Sequence, residues 1–194
     1  MTRISPPAIA TTVIAATLLA SAVGCSKDST SSTSSPGSAT TTRPPVSDYT
    51  TLLIKASDIK APDAFTAGPA IKDPNGQQGA SVTFTDSDHS HSIIDTIQIL
   101  PDVSAAANAL DSAKASRRET LHAKSLRVEV GVGGATVTGQ SEDHSKGVTA
   151  LLFTQNKALV TIEFDGPSYA LAPPEFVAEV GQKQDELVKN ALGG

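Results

Sequence analysis

The chain of 194 residues contains no tryptophan, one cysteine, one methionine and seven aromatic rings in all, and it has no surplus of basic charge. Each shortage excludes something. A single cysteine cannot close an intramolecular disulfide. With 15 Lys+Arg against 20 Asp+Glu the net charge is -5, so no basic surface is at hand to neutralise a phosphate backbone, and nucleic acid is not an expected partner. No run reaches the roughly 20 predominantly apolar residues that a spanning helix needs. There is no Gly-x-Ser-x-Gly elbow, which removes the usual serine-hydrolase nucleophile. The length fits one modest domain with irregular segments attached.

What is present begins at the N-terminus. Arg3 supplies a positive charge, and residues 8–23 are apolar except for small hydroxyl side chains. The run ends at Gly24-Cys25, which reads as a secretory signal over residues 1–24 with the sole cysteine at the cut. Residues 26–47 hold 8 Ser and 5 Thr among 22 positions. Such a composition cannot offset the entropy of ordering, so residues 25–47 are expected to form a tether averaging about 25 Å end to end. A single domain, residues 48–194, follows.

That domain carries 12 Lys+Arg against 19 Asp+Glu and all seven aromatics. Ser47 or Asp48 is a candidate cap for a short apolar turn over 49–56, and a Pro/Gly/Asp-rich loop follows over 61–79. Alternation predicts strands at 80–85 and 93–100, joined as a hairpin. Asp102 or Ser104 caps a helix reaching about Leu121, with Val103, Ala106, Ala107, Leu110 and Ala113 as its inward stripe. Strands are expected at 126–130, 135–140, 148–155 and 158–164. Pro173-Pro174-Glu175 opens a last helix whose apolar face is Phe176, Val180, Leu187 and Ala191, flanked by Val177 and Val188. The order α-β-β-α-β-β-β-β-α predicts an α+β fold, an antiparallel sheet of about six strands with helices packed on one face.

Several constellations bear on chemistry. His89 and His91, with Asp86 and Asp88, lie in the hairpin turn, and on an extended backbone residues two apart point to one side, so these four are weak candidates for a metal site. A zinc site ordinarily needs three or four ligands, and the plainer reading is a solvated turn rich in Asp and Ser. Glu142, Asp143 and His144 would join them only if the sheet brought both turns to the same end. His122 stands near a helix C-terminus as a dipole partner. Gly131, Gly133 and Gly134 mimic a phosphate loop, but a strand follows them, so a bend or bulge is expected. Asp95, Glu129 and Glu163 sit in strands, where a buried pair would be capable of acid/base work; by alternation Glu163 reads as a surface charge. The loop over 61–79 is the expected cover of any site.

Leu19-Ala20-Ser21-Ala22-Val23-Gly24-Cys25 resembles the bacterial lipobox, departing from it at Ala22, where the pattern prefers Leu. The resemblance implies that Cys25 is lipidated and becomes the mature N-terminus. Together with the stretch from Leu52 to Ile59 and the closing helix from Phe176 to Leu192, the chain is similar to exported lipoproteins of actinobacteria, mycobacteria in particular, and its element order is similar to PsbP-like domains among them. The resemblance implies a non-enzymatic binding or scaffold role, without cofactor, on the outer side of the cell membrane. The membrane itself would be one partner, through the acyl anchor, and an envelope protein or glycolipid the other. Two alternatives stand beside it: a lipid carrier with an apolar cavity between sheet and helices, and a metal-dependent hydrolase using His89 and His91.

Overall fold

The structure is a computed structural model that describes residues 48–193. The expected signal over residues 1–24, the tether over 25–47 and the candidate lipidation site Cys25 lie outside the described residues. Asp48 caps the first 3-10 turn, Tyr49–Leu52, by accepting the Thr50 N–H at 3.0 Å. Two short strands, β1 (Thr66–Ala67) and β2 (Ile71–Lys72), precede β3 (Gly79–Thr85) and β4 (Ser92–Ile99). Helix α1 (Val103–Thr120) comes next, with Asp102 accepting the Ala105 N–H at 2.7 Å as its cap. Strands β5 (Ser125–Arg127), β6 (Val132–Gln140), β7 (Lys146–Gln155) and β8 (Ala158–Pro167) lead to α2 (Pro174–Leu192).

All strands pair antiparallel in one eight-stranded sheet of order β1-β3-β4-β8-β7-β6-β5, with β2 also on β3. The α+β class and the antiparallel sheet agree with the expectation. The count of about six strands is corrected to eight, because β1 and β2 lie within the segment read as loop. Both are exposed on each side, so they carry no apolar alternation; only backbone pairing to β3 defines them.

The helices do not share a face, which corrects the expected layering. Leu151 and Phe153 of β7 belong to a core with Val177, Val180 and Val188 of α2, whereas Val148, Ala150 and Leu152 pack with Leu110 of α1. Successive strand residues point to opposite faces, so α1 and α2 cover opposite sides. The physical cause is the run from Val148 to Phe153, in which both parities are buried, as in a strand covered on both faces. Within α1 the buried pair is Ala106 and Leu110, while Val103 is exposed. Within α2, Gly181 sits over Leu151, whose Cδ2 a side chain at this position would strike, and this lets the helix lie close on the sheet.

Candidate functional site

The β3–β4 turn organises one end of the sheet. Asp86, buried at the end of β3, accepts the backbone N–H of His91 at 3.1 Å and the Ser90 hydroxyl at 3.0 Å, and lies 2.9 Å from His91 Nδ1. Burial works to raise its carboxyl, but the hydrogen bonds from His91 and Ser90 prevail and bring it down to about 2. An ionised carboxylate accepts only, so the ring nitrogen that faces it, Nδ1, is the one that donates. The ring lies over β8 at Gly166, where a Cβ would come within 2.8 Å of His91 Cδ2 and 3.3 Å of Nε2.

The other candidates in this turn do not join that pair. His89 adopts φ 59°, so the chain is not extended there and the two imidazoles lose the shared side that alternation offered; both His89 and Asp88 are exposed, and Asp88 accepts the Ser90 N–H at 3.0 Å. Among the described residues no group of three or more His, Cys, Asp or Glu is arranged to hold a metal ion.

The turn bearing Glu142, Asp143 and His144 does reach the same end of the sheet, but β8 lies between β4 and its own strand β7, a separation of about 10 Å at ordinary strand spacing. Its side chains satisfy each other locally: Asp143 takes the hydroxyls of Ser141 at 2.6 Å and Ser145 at 2.8 Å, and His144 Nδ1 lies 3.1 Å from Gln140 Oε1. His122 serves through its backbone. It holds the left-handed position, φ 48°, after α1, with its own N–H on the Glu119 carbonyl and the Ala123 N–H on that of Arg118, a Schellman closure.

The glycines at 131–134 form the expected irregularity, a register shift between Val132 and Ala135 on β6. Gly131 (φ 52°) leaves no room for a side chain, since a Cβ would meet Phe153 and the Thr154 carbonyl. The cations in the recess beside them are engaged, Arg127 by Glu129 at 3.0 Å and Lys114 by Asp111 at 4.0 Å.

A groove of about 430 Å³ opens beside the Asp86–His91 pair. It is assembled from four separated segments: residues 60–65, the β3–β4 turn with Ile93, the end of β8, and the approach to α2. Phe65, Ile93, Phe164, Leu171 and Phe176 supply its apolar wall, with the Phe164 and Phe176 rings 5.7 Å apart and 70° inclined, the edge-to-face arrangement. Residues 61–65, part of the loop expected to cover a site, form one wall. Tyr169 stands 89% exposed in the loop between β8 and α2.

Under α2 lies a second polar feature. Gln184, fully buried, accepts the Ile54 N–H at 2.9 Å and donates to the Leu52 carbonyl at 2.7 Å. Asp95 on β4 is fully buried beside it, its Oδ2 3.4 Å from the same N–H and its Oδ1 without a hydrogen-bond partner. Burial pushes its carboxyl up to about 7, opposed by the Ile54 hydrogen bond. Sequence reasoning placed Asp95 in a strand but missed Gln184, a polar residue four positions from both Val180 and Val188 in an otherwise apolar stripe.

The carboxylates form no acid/base pair. Glu129 is exposed, and Glu163 is not the bare surface charge expected: it lies on the α1 face with 18% of its side chain exposed and 2.6 Å from Arg117. Burial raises its carboxyl, and the Arg117 charge acts the other way.

No family model and no curated protein matches the chain. Among solved structures it is similar to the crystal structure of the extracellular domain of PknH from Mycobacterium tuberculosis, with a TM-score of 0.56 and 12% sequence identity, over 72% of this chain and 93% of that one. At that identity the likeness is one of fold: the domain shares its α+β architecture with a mycobacterial extracellular domain.

Proposed function

We propose that the chain is a non-catalytic, lipid-anchored protein of the cell envelope, held to the outer side of the membrane by acyl chains on Cys25, and that its domain is a binding module for an envelope component. The observation that carries the binding role is the groove, whose volume falls in the range of small-molecule sites and whose apolar lining meets a few convergent polar groups. The serine in contact with His91 is Ser90, 2.8 Å from Nδ1. It therefore shares the Asp86 side of the ring, where a nucleophile cannot hand its proton to Nε2; this supports binding over hydrolysis. The likeness in fold to an extracellular domain and the lipobox-like segment support the location.

A binding module is favoured over a carrier that encloses its lipid. The interface beneath α2 is filled by Leu151, Phe153, Val177, Val180 and Gln184, all buried, and the groove lies at the end of the sheet instead. At about 0.8 kcal/mol per buried CH₂, two or more acyl chains hold a protein durably. Membrane fractionation of a Cys25→Ser variant tests the anchor, with release to the soluble fraction expected. Native mass spectrometry of the protein isolated from its own membrane tests the groove: a co-purifying small molecule that Pro62→Trp, at an exposed lining position, displaces supports the reading, and its absence from both proteins refutes it.

A further inference from the structure

We infer that the groove selects its amphiphile by charge, taking an apolar chain that ends in a primary ammonium and rejecting one that ends in an anion. This rests on the groove being a binding site. The inference follows from which charged side chains reach the lining and which are already engaged. Three carboxylates belong to the groove: Asp86 beneath His91, and Asp63 and Glu175, both exposed. The lysine there, Lys60, is bound to Glu179 at 2.8 Å. Asp165 borders the groove through its backbone, since it alternates with Phe164 and carries its carboxylate to the α1 face, where Lys146 holds it at 3.1 Å. Asp86 already receives hydrogen bonds from His91 and Ser90, so the carboxylates left open to a ligand head are those of Asp63 and Glu175. An ammonium head supplies donors and a charge that match these carboxylates.

The element that argues for an anion is α2, whose N-terminal end borders the same groove, because helix N-termini attract negative charge. Here the attraction is blunted. Pro173 and Pro174 have no N–H to offer an anion, and Glu175 places a carboxylate in the first turn. A sulfate or phosphate head would face the carboxylates of Asp63 and Glu175, while Lys60 is already held by Glu179. The apolar body has its place against Phe65, Ile93, Phe164 and Phe176.

The test uses the full chain carrying Cys25→Ser, so that no acyl group competes, titrated calorimetrically with octylammonium, octyl glucoside and octyl sulfate below their micellar concentrations. The three probes share a chain and differ in the head. Octylammonium is expected to bind about ten-fold more tightly than octyl sulfate, with the glucoside between them, and raising the salt is expected to shrink the gap. The double variant Asp63→Asn/Glu175→Gln, at two exposed positions, is expected to erase most of the gap, while Phe176→Ala weakens the three probes alike. The inference is overturned by a sulfate that binds as well as the ammonium, by a glucoside that binds better than both, or by a gap that survives the double variant. If no probe binds, or if Pro62→Trp leaves binding untouched, the groove is not the site and the proposed function falls with it.

Discussion

The two faces of the sheet are built from the same strands and differ in nearly everything else. On the α2 face, Phe84, Ile93, Ile97, Phe153, Val160 and Ile162 are essentially inaccessible and continue into Val177, Val180 and Val188 of the helix. On the α1 face the buried cluster is smaller, seven residues around Leu110 and Leu152, with alanines of the helix beside it. The α1 face also keeps Thr83 exposed and Ser81, Thr85 and Thr96 half-buried, and it meets its charges with ion pairs, Arg117–Glu163 and Lys146–Asp165. Glu163 and Asp165 keep part of their side chains exposed there, although one carboxylate oxygen of each is buried. The α2 face instead encloses Asp95 and Gln184 completely, and the groove opens at the end of its helix. One side of this sheet therefore carries the larger apolar core, and the other closes the fold with small side chains.

The largest expected effect separates the two cores. Phe153→Ala removes a fully buried ring from the α2 side and is expected to cost about 3 to 5 kcal/mol, whereas Leu110→Ala, in the smaller cluster, should lie near the lower end of the range of about 2 to 5 kcal/mol for such truncations. Urea titration of both variants measures the difference; equal losses would mean that the α1 cluster is packed as firmly as its counterpart.

Asp95 sharpens the contrast through pH. Its folded carboxyl stands at about 7 against an ordinary unfolded value of about 3.9, so between those values the folded chain holds a proton that the unfolded chain has lost. Stability from this group therefore falls as pH rises from about 4 to about 7 and is level above. Asp95→Asn has no such slope. Relative to the parent, the variant is expected to gain on the order of 3 kcal/mol between pH 4 and pH 8, read from denaturation midpoints at each pH. Parallel pH profiles would show that the carboxylate is solvated.

Gln184→Leu comes next. It keeps the volume and leaves the Ile54 N–H and the Leu52 carbonyl short of their partner, a loss of about 2 kcal/mol. Hydrogen exchange at the Ile54 amide should accelerate beyond what the global loss explains; an unchanged amide would show that Asp95 alone suffices.

How much of this was legible follows from the physics of each feature. Strands β3, β4 and β8 and helix α2 announce themselves through periodicity, because one more deeply buried face forces it, and β7 through a run buried on both faces. The caps at Asp48 and Asp102 and the bulge at Gly131 follow from local chemistry. The placement of the helices was present in the run from Val148 to Phe153, apolar at both parities, but the Ala-rich stripe of α1 pointed to no particular face. β1 and β2 bury nothing and so leave no pattern. The His89–His91 spacing misled because alternation presupposes an extended chain, which the left-handed backbone at His89 interrupts. The groove was illegible for a different reason: its lining comes from segments about a hundred residues apart, and only the register of β4 on β8, which sets Ile93 opposite Phe164, brings them together.

The smallest expected effect belongs to the α1 face and tests whether its charges are as lightly held as their exposure implies. Arg117 is 34% exposed and Glu163 18%, between a surface pair, where coupling is typically below about 1 kcal/mol, and a buried one, where removing a partner costs several. Arg117→Ala takes away the nearby positive charge and leaves Glu163 with the burial that already raises its carboxyl, so the variant should be destabilised near neutral pH and recover as Glu163 takes up a proton in acid. Arg117→Ala/Glu163→Gln should recover without acid, because the amide has no charge to strand. A double-mutant cycle is expected to give a coupling of about 1 kcal/mol. A coupling of several kcal/mol, matching the polar network under α2, would mean that the two faces enclose their charges equally and that the division between them rests on apolar packing alone.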